Sequence, residues 1–283
     1  MTAAISIVVP AHDEEPIIEA FLRRLVDAAE PGELDVVVVC NGCTDRTADV
    51  ARSIGAPVRV IETEIGHKPT ALNLADDATD VFPRFYLDAD VDIDLAAIRA
   101  CADVLDGGAL AAAPRLRVDT SGSSWAVRSY YRVWMELPWV QQGMVGSGVF
   151  AVSEEGRKRF DRFPDDGADD LFFSAQYALD ERRSVPEATF TVVGSPTARQ
   201  LVRRRSRIVA ANRLMAQRVE ALPGAPSTGL RSVVELLRRR PRLLPDAVAF
   251  VGVTIAARLR AQRMLARGEV TWEGDERRPA TPV

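Results

Sequence analysis

An α/β fold built on a mostly parallel sheet flanked by helices is what this sequence predicts, and two observations predict it. Over residues 5–87, four short apolar runs of strand length alternate with segments of helical periodicity. The connections between them are short, and parallel neighbours of this kind are joined through crossover helices. In such sheets ligands gather at the carboxyl ends of the strands, and the polar clusters at residues 10–15, 41–45 and 88–94 all fall at such ends.

Ile5-Ser6-Ile7-Val8-Val9-Pro10 is an apolar run closed by proline, as in a strand buried on both faces. Ile17, Ile18, Phe21, Leu22, Leu25 and Val26 recur at helical spacing over residues 17–29, ended by Pro31-Gly32. Val36-Val37-Val38-Val39 centres a second strand over 35–40 that stops at Asn41-Gly42. Residues 44–54 read as a helix with Thr44 as N-cap, 58–62 as a third strand, and 69–78 as a helix with Pro69 near its start. Residues 82–87 form a fourth strand that runs into Asp88-Ala89-Asp90. Beyond it the pattern predicts a helix over 94–105, a strand over 109–118, an aromatic and partly helical stretch over 123–140 and a glycine-rich strand region over 143–152. An acidic turn and helix follow over 160–179, then a strand over 184–193. From residue 200 the chain is helical and arginine-rich, broken at 223–229, Pro241 and Pro245. This divides the chain into a catalytic domain (1–215), an Arg-rich helical extension (216–271) and a flexible tail (272–283).

With 283 residues, 47% apolar and 27% charged, the composition is that of an ordinary globular protein. No stretch reaches the roughly 20 apolar residues of a spanning helix, and residues 1–10 read as a strand and not a leader, which predicts a cytoplasmic protein. Three cysteines without an export signal point to a reducing compartment. Cys40-Asn41-Gly42-Cys43 has redox-motif spacing, but Asn-Gly is also a turn signal.

Charge is unevenly placed. From Arg199 onward there are 18 arginines and 7 acids, whereas the preceding residues carry 18 basic and 33 acidic side chains. Such a segment suits an anionic partner, namely a diphosphate, an anionic membrane face or an acidic acceptor, or it is a solvated helical surface. Nucleic acid is not an expected partner. Residues 245–265 set Val248, Phe250, Val251, Val253, Ile255, Leu259 and Leu265 beside Arg258, Arg260, Arg263 and Arg267. That pattern suits a helix lying on the inner face of an anionic membrane, one packed on the catalytic domain, or a dimer contact.

Two carboxylates at i and i+2 after a strand, Asp88 and Asp90, can hold one hard cation that bridges a diphosphate. Asp92 and Asp94 extend the cluster, whose mutual repulsion a cation relieves, although Asp94 can equally cap the next helix. Asp169-Asp170 at a helix start offers a general base for a hydroxyl, or plain helix capping. Arg203, in Gln200-Leu201-Val202-Arg203-Arg204-Arg205, suits a diphosphate. Lys68, in Gly66-His67-Lys68, can contact phosphate or position the Asp88 and Asp90 carboxylates. His12 and His67 stand without ligand-spaced partners, which argues against zinc. Trp125, Tyr130, Tyr131, Trp134 and Trp139 can stack on sugar faces or pack in the core.

In these motifs the sequence resembles the family 2 glycosyltransferases with the GT-A, Rossmann-like fold. Residues 7–15 are similar to the family's opening strand and Pro-x-x-Asn-Glu, and residues 40–47 to its Asp-Asp-Gly-Ser-Thr-Asp-x-Thr loop. Residues 66–73 are similar to Gly-Lys-x-x-Ala-Leu-Asn, and Asp88-Ala89-Asp90 to the metal motif. Gly146-Ser147-Gly148-Val149-Phe150 resembles the acceptor-side strand, Asp169-Asp170 the Glu-Asp pair and residues 200–204 Gln-x-x-Arg-Trp. The resemblance implies an inverting, hexosyl-type transferase that uses a nucleotide-sugar, UDP by default, and Mn2+ or Mg2+. It further implies nucleoside contacts from Pro10, Ala11, Glu14 and Asn41, a ribose or metal role for Asp88, and metal ligation by Asp90. Asp170 would be the base and Arg203 a diphosphate contact. The acceptor would be a hydroxyl of a glycan, a glycolipid or a secondary metabolite, as in cell-envelope polysaccharide synthesis.

Three departures matter. Cys40-Asn41 replaces two aspartates, Asp169 replaces glutamate, and Arg204 replaces the tryptophan associated with processive synthases. The last favours addition of one sugar. Competing readings are a sugar-nucleotide pyrophosphorylase, which would need a glycine-rich loop where residues 10–16 have no glycine, and a catalytically silent binding protein on the same fold.

Overall fold

The computed structural model describes residues 4–141, 148–165, 168–222 and 230–268. The elements run β1 (Ile5–Ala11), α1 (Glu15–Val26), β2 (Leu34–Asn41), α2 (Thr47–Ser53), β3 (Val58–Thr63), α3 (Lys68–Asp76) and β4 (Arg84–Leu87). They continue β5 (Asp92–Ile93), α4 (Leu95–Asp106), β6 (Ala111–Asp119), α5 (Trp125–Trp134), α6 (Pro138–Gln141), β7 (Val149–Val152) and α7 (Glu154–Arg157). The rest is α8 (Asp169–Ala175), β8 (Arg182–Val193), α9 (Ala198–Val219), α10 (Leu230–Arg239), a 3-10 turn at Pro241–Leu243, and α11 (Leu244–Arg267).

One eight-stranded sheet has the order β3-β2-β1-β4-β7-β6-β8-β5. β3, β2, β1 and β4 are mutually parallel, while β7 runs antiparallel to both β4 and β6. β6 and β8 are parallel, and β5 is an antiparallel edge. The prediction of a mostly parallel sheet holds, with β5 and β7 as reversed strands. The valine runs are buried on both faces for the reason expected of parallel strands. Ile7, Val9, Val36 and Val38 face one core with α1 and α4, while Val8, Val37 and Val39 face a second with α3 and α8.

Two local expectations are corrected, and of the two open readings of the aromatic stretch the fold selects core packing for three residues. Thr44 does not cap the second helix, because its N–H and hydroxyl are given to Asp13; α2 starts at Thr47, whose N–H donates to Asp45 Oδ1 at 2.9 Å. Pro245 does not break the C-terminal helix; it occupies the first turn of α11, where its missing N–H costs nothing. Tyr130, Tyr131 and Trp134 are core residues, joined with Phe250 of α11 in an aromatic cluster, while Trp125 is exposed. That cluster packs α11 on α5 and α9, and α9 runs unbroken across residues 215 and 216. The predicted break at 223–229 and the tail at 272–283 lie outside the described residues.

Candidate active site

The ends of β1 and β2 form one side of the site. Asn41, fully buried, donates its Nδ2 to Ala11 O at 2.8 Å, while its Oδ1 is buried without a partner. His12 Nδ1 donates to Asn41 O at 2.6 Å. Glu14 N–H donates to Thr47 Oγ1 at 2.8 Å, which pins the turn that carries Pro10, Ala11 and Glu14 to the start of α2. Gly42 adopts φ +60°, and a Cβ there would meet Gly66 Cα at 2.7 Å, so the loop before α3 closes over the end of β2 only because Gly42 lacks a side chain. Cys40 and Cys43 are free thiols; a hydrogen bond from Cys40 pulls Cys43 down to about 7.

The other side is built on β4, β7, α3 and α8. Because β7 pairs antiparallel with β4, Leu87 faces Val149 and Gly148 meets Asp88, whose N–H donates to Gly148 O at 2.8 Å. Gly148 has φ +73°, and a Cβ on it would stand 2.6 Å from Asp88 Oδ2. Its own N–H donates to Asp170. Phe173 of α8 packs on Phe150 of β7 at 4.4 Å between ring centroids, and Tyr86 of β4 stacks on Phe150 at 5.0 Å. This aromatic cluster seats the short α8 so that its two leading aspartates approach Asp88.

Lys68 ties the parts together. Its buried ammonium lies 2.7 Å from Asp88 Oδ1 and 2.8 Å from Asp169 Oδ2. Burial works against its charge, but Asp169, Asp88 and Asp170 outweigh it and hold the lysine well above its ordinary value. Asp169 is thereby engaged, whereas Asp170 keeps Oδ1 out of solvent and without a partner among the described residues, although the residue as a whole is part-exposed. Burial and then repulsion from Asp169 push Asp170 up to about 8, against the pull of Lys68. Burial raises Asp88 as well; Lys68 opposes that shift and Asp90 adds to it.

The sequence-predicted residues therefore divide. Asp88, Asp169, Asp170 and Lys68 converge, with Asp90 acting electrostatically on Asp88. Pro10, Ala11, Glu14 and Asn41 gather at the ends of β1 and β2. Asp92 and Asp94 leave the cluster: Asp92 pairs with Arg24 on edge strand β5, and Asp94 caps α4 by accepting from Ala97 N–H at 2.7 Å. Arg203 stands on α9, where it lines a cavity of about 280 Å³ with Ala198, Arg199, Val202 and Arg260. Gly148 was legible only as part of a glycine-rich strand, and residues 146–147 lie outside the described residues. Among the described residues, the one trio of donor atoms within 4.8 Å is Asp13, Cys43 and Asp45. Its carboxylates already accept hydrogen bonds from Thr44, Glu15 and Thr47, so it serves the loop's folding.

Comparison with known proteins agrees with this fold. The Glycosyl transferase family 2 model matches residues 6–149, just over half of the chain. A mannosyltransferase from Pyrobaculum calidifontis, solved with GDP-Man and Mn2+, is similar at TM-score 0.60 and 21% identity over 95% of this chain and 80% of its own. Glucosyl-3-phosphoglycerate synthase from Mycobacterium tuberculosis, solved with Mn2+, UDP-glucose and phosphoglyceric acid, is similar at TM-score 0.56 and 20% identity over 80% of this chain and 82% of its own. TarS from S. aureus follows at TM-score 0.52 and 16% identity, over 76% of this chain and 40% of its own. At these identities the likeness is one of fold, the GT-A fold. No curated protein sequence matches the chain.

Proposed function

This chain belongs to glycosyl transferase family 2, and we propose that it is an inverting, non-processive enzyme that moves one sugar from a nucleotide-diphosphate donor to an acceptor hydroxyl. The observation that carries the reading is the Lys68 bridge from Asp88 to Asp169, with Asp170 alongside holding an unpartnered carboxylate oxygen. Asp88, Asp169 and Asp170 face a single lysine and Asp90 bears on Asp88, so acidic groups outnumber basic ones at the site, and its all-oxygen donors suit a hard cation. We assign Asp90 and Asp88 as the residues that would hold Mn2+ or Mg2+. When bound, the cation supplies charge neutralisation at the departing diphosphate.

The chain's own residues do the rest. Asp170 takes the acceptor hydroxyl proton on its unpartnered oxygen, and a carboxyl held near 8 is, once ionised, a stronger base than an ordinary carboxylate. Asp169 and Lys68 act as positioning residues: the lysine holds Asp88 and Asp169 in register, and Gly148 fixes Asp170 to the same strand that anchors Asp88. Pro10, Ala11, Glu14 and Asn41 receive the nucleoside. Asn41 stands where the family has aspartate. Its amide N–H group is committed to Ala11 O, which leaves the acceptor oxygen as its reading group, as a carboxylate would be. An acceptor there suits the imide N–H of uracil, which favours UDP. Arg203 is proposed to meet the diphosphate.

Arg204 in place of the family's tryptophan supports addition of a single sugar, and among the described residues no helix is long and apolar enough to cross a membrane. The acceptor we propose is a hydroxyl of a glycan, a glycolipid or a secondary metabolite, met in the cytoplasm or at the inner face of the membrane. The test is donor hydrolysis and transfer with UDP-, GDP- and dTDP-sugars, with and without Mn2+, the anomeric configuration of the product being followed by NMR. Metal-dependent turnover of one donor with inversion is expected; retention of configuration contradicts the mechanism, and no turnover of any donor favours the silent binding protein.

A further inference from the structure

The outer face of α11 is an apolar stripe. Leu244, Val248, Val251, Ile255 and Leu259 are each between 42% and 73% exposed, although a helix in this position is expected to show polar residues to solvent. At ~100° per residue they fall on an arc of about 80°. The opposite face, Asp246, Ala247, Phe250, Val253, Ala257 and Ala261, is buried against α5 and α9, so the stripe is not left over from an unpacked helix.

Its borders are cationic. Arg258 follows the stripe on one side and Arg263 on the other, both exposed. Arg260, farther round on the Arg263 side, reaches the cavity that also carries Arg199 and Arg203, and among the described residues no carboxylate lines it. α11 has one acid, Asp246, which is buried and lies 3.4 Å from Arg132. Residues 230–268 hold nine arginines and two acids.

We propose that this face docks the protein on a bilayer that contains anionic phospholipid, with the stripe inserted among the acyl chains and the flanking guanidiniums on the headgroup phosphates. Apolar side chains bordered by arginines are the arrangement of an in-plane interfacial helix. A second copy fits less well, because facing stripes would bring arginine borders together with no acid on the outer face to pair with them. Docking is separate from the sugar-transfer chemistry, so its test needs no substrate.

The experiment is flotation of the full chain with vesicles of phosphatidylcholine alone and of phosphatidylcholine with phosphatidylglycerol. Wild type is expected to float with the anionic vesicles only, and less as salt rises. A Val248→Asp/Ile255→Asp variant and an Arg258→Glu/Arg263→Glu variant should each lose about tenfold or more in partitioning. Thermal unfolding of each variant close to wild type shows that the fold is intact. No flotation at low salt, or flotation unchanged in both variants, overturns the proposal. So does a wild-type dimer in size-exclusion light scattering that Ile255→Asp dissociates, since the stripe then belongs to a second copy.

Discussion

The two sides of the site are built on opposite principles. At the ends of β1 and β2 the polar groups are matched within the protein save for Asn41 Oδ1: Asn41 Nδ2 to Ala11 O, His12 to Asn41 O, Glu14 N–H to Thr47, Asp45 to Thr47. Around Asp88 the charges are deliberately unequal, four carboxylates against Lys68, with one Asp170 oxygen left over. A satisfied region is rigid and reads shape. An unbalanced one stores electrostatic cost that a bound cation and a reacting proton can relieve. Binding and chemistry should therefore come apart under mutation.

The sharpest break is Asp170→Asn. Transfer should fall by about 10²–10⁴-fold with nucleotide affinity within a few fold of wild type, which single-turnover kinetics beside equilibrium binding will show. Equal losses in both would place Asp170 in donor binding. Lys68→Met leaves Asp88 and Asp169 without their buried counter-charge, and metal-free stability in denaturant should drop by about 3–5 kcal/mol, part of it restored by Mn2+. The same Asp170→Asn protein should be more stable than wild type when metal-free. Asp170 titrates from 3.8 in the unfolded chain to about 8 in the folded one, so the unfolded chain loses its proton first as pH rises. Wild-type stability therefore declines between these two values, and the advantage of Asn widens over that window in thermal melts. The smallest effect belongs to the satisfied side. Cys43, near 7 and partly exposed, should be alkylated well before buried Cys40 and Cys101, with a rate that reaches half its maximum near pH 7.

What could be read from the sequence follows the same division. β1 and β2 announce themselves as apolar runs, and the polar residues that end them necessarily fall at the carboxyl edge of the sheet. Asp88 and Asp90 were legible because a buried strand delivers them, and Asp94 as a cap because it precedes a helical run. The Lys68 pairing with Asp169 was not legible, since 101 positions separate them and only the seating of α8 by Phe173 and Phe150 brings them together. Nor was the departure of Asp92 to Arg24, because a two-residue edge strand has no periodicity to recognise. The aromatic stretch left two readings open, and its helical spacing pointed to the one found: Tyr130, Tyr131 and Trp134 pack on α11.

The central claim is that Asp90 and Asp88 make nucleotide binding depend on a metal, and calorimetry of UDP with and without Mn2+, on wild type and Asp90→Asn, tests it most directly. Wild type should bind UDP about tenfold or more tighter with Mn2+ than without, and Asp90→Asn should show no such difference. Binding that ignores the metal in wild type, or a metal dependence that survives in Asp90→Asn, would contradict the account.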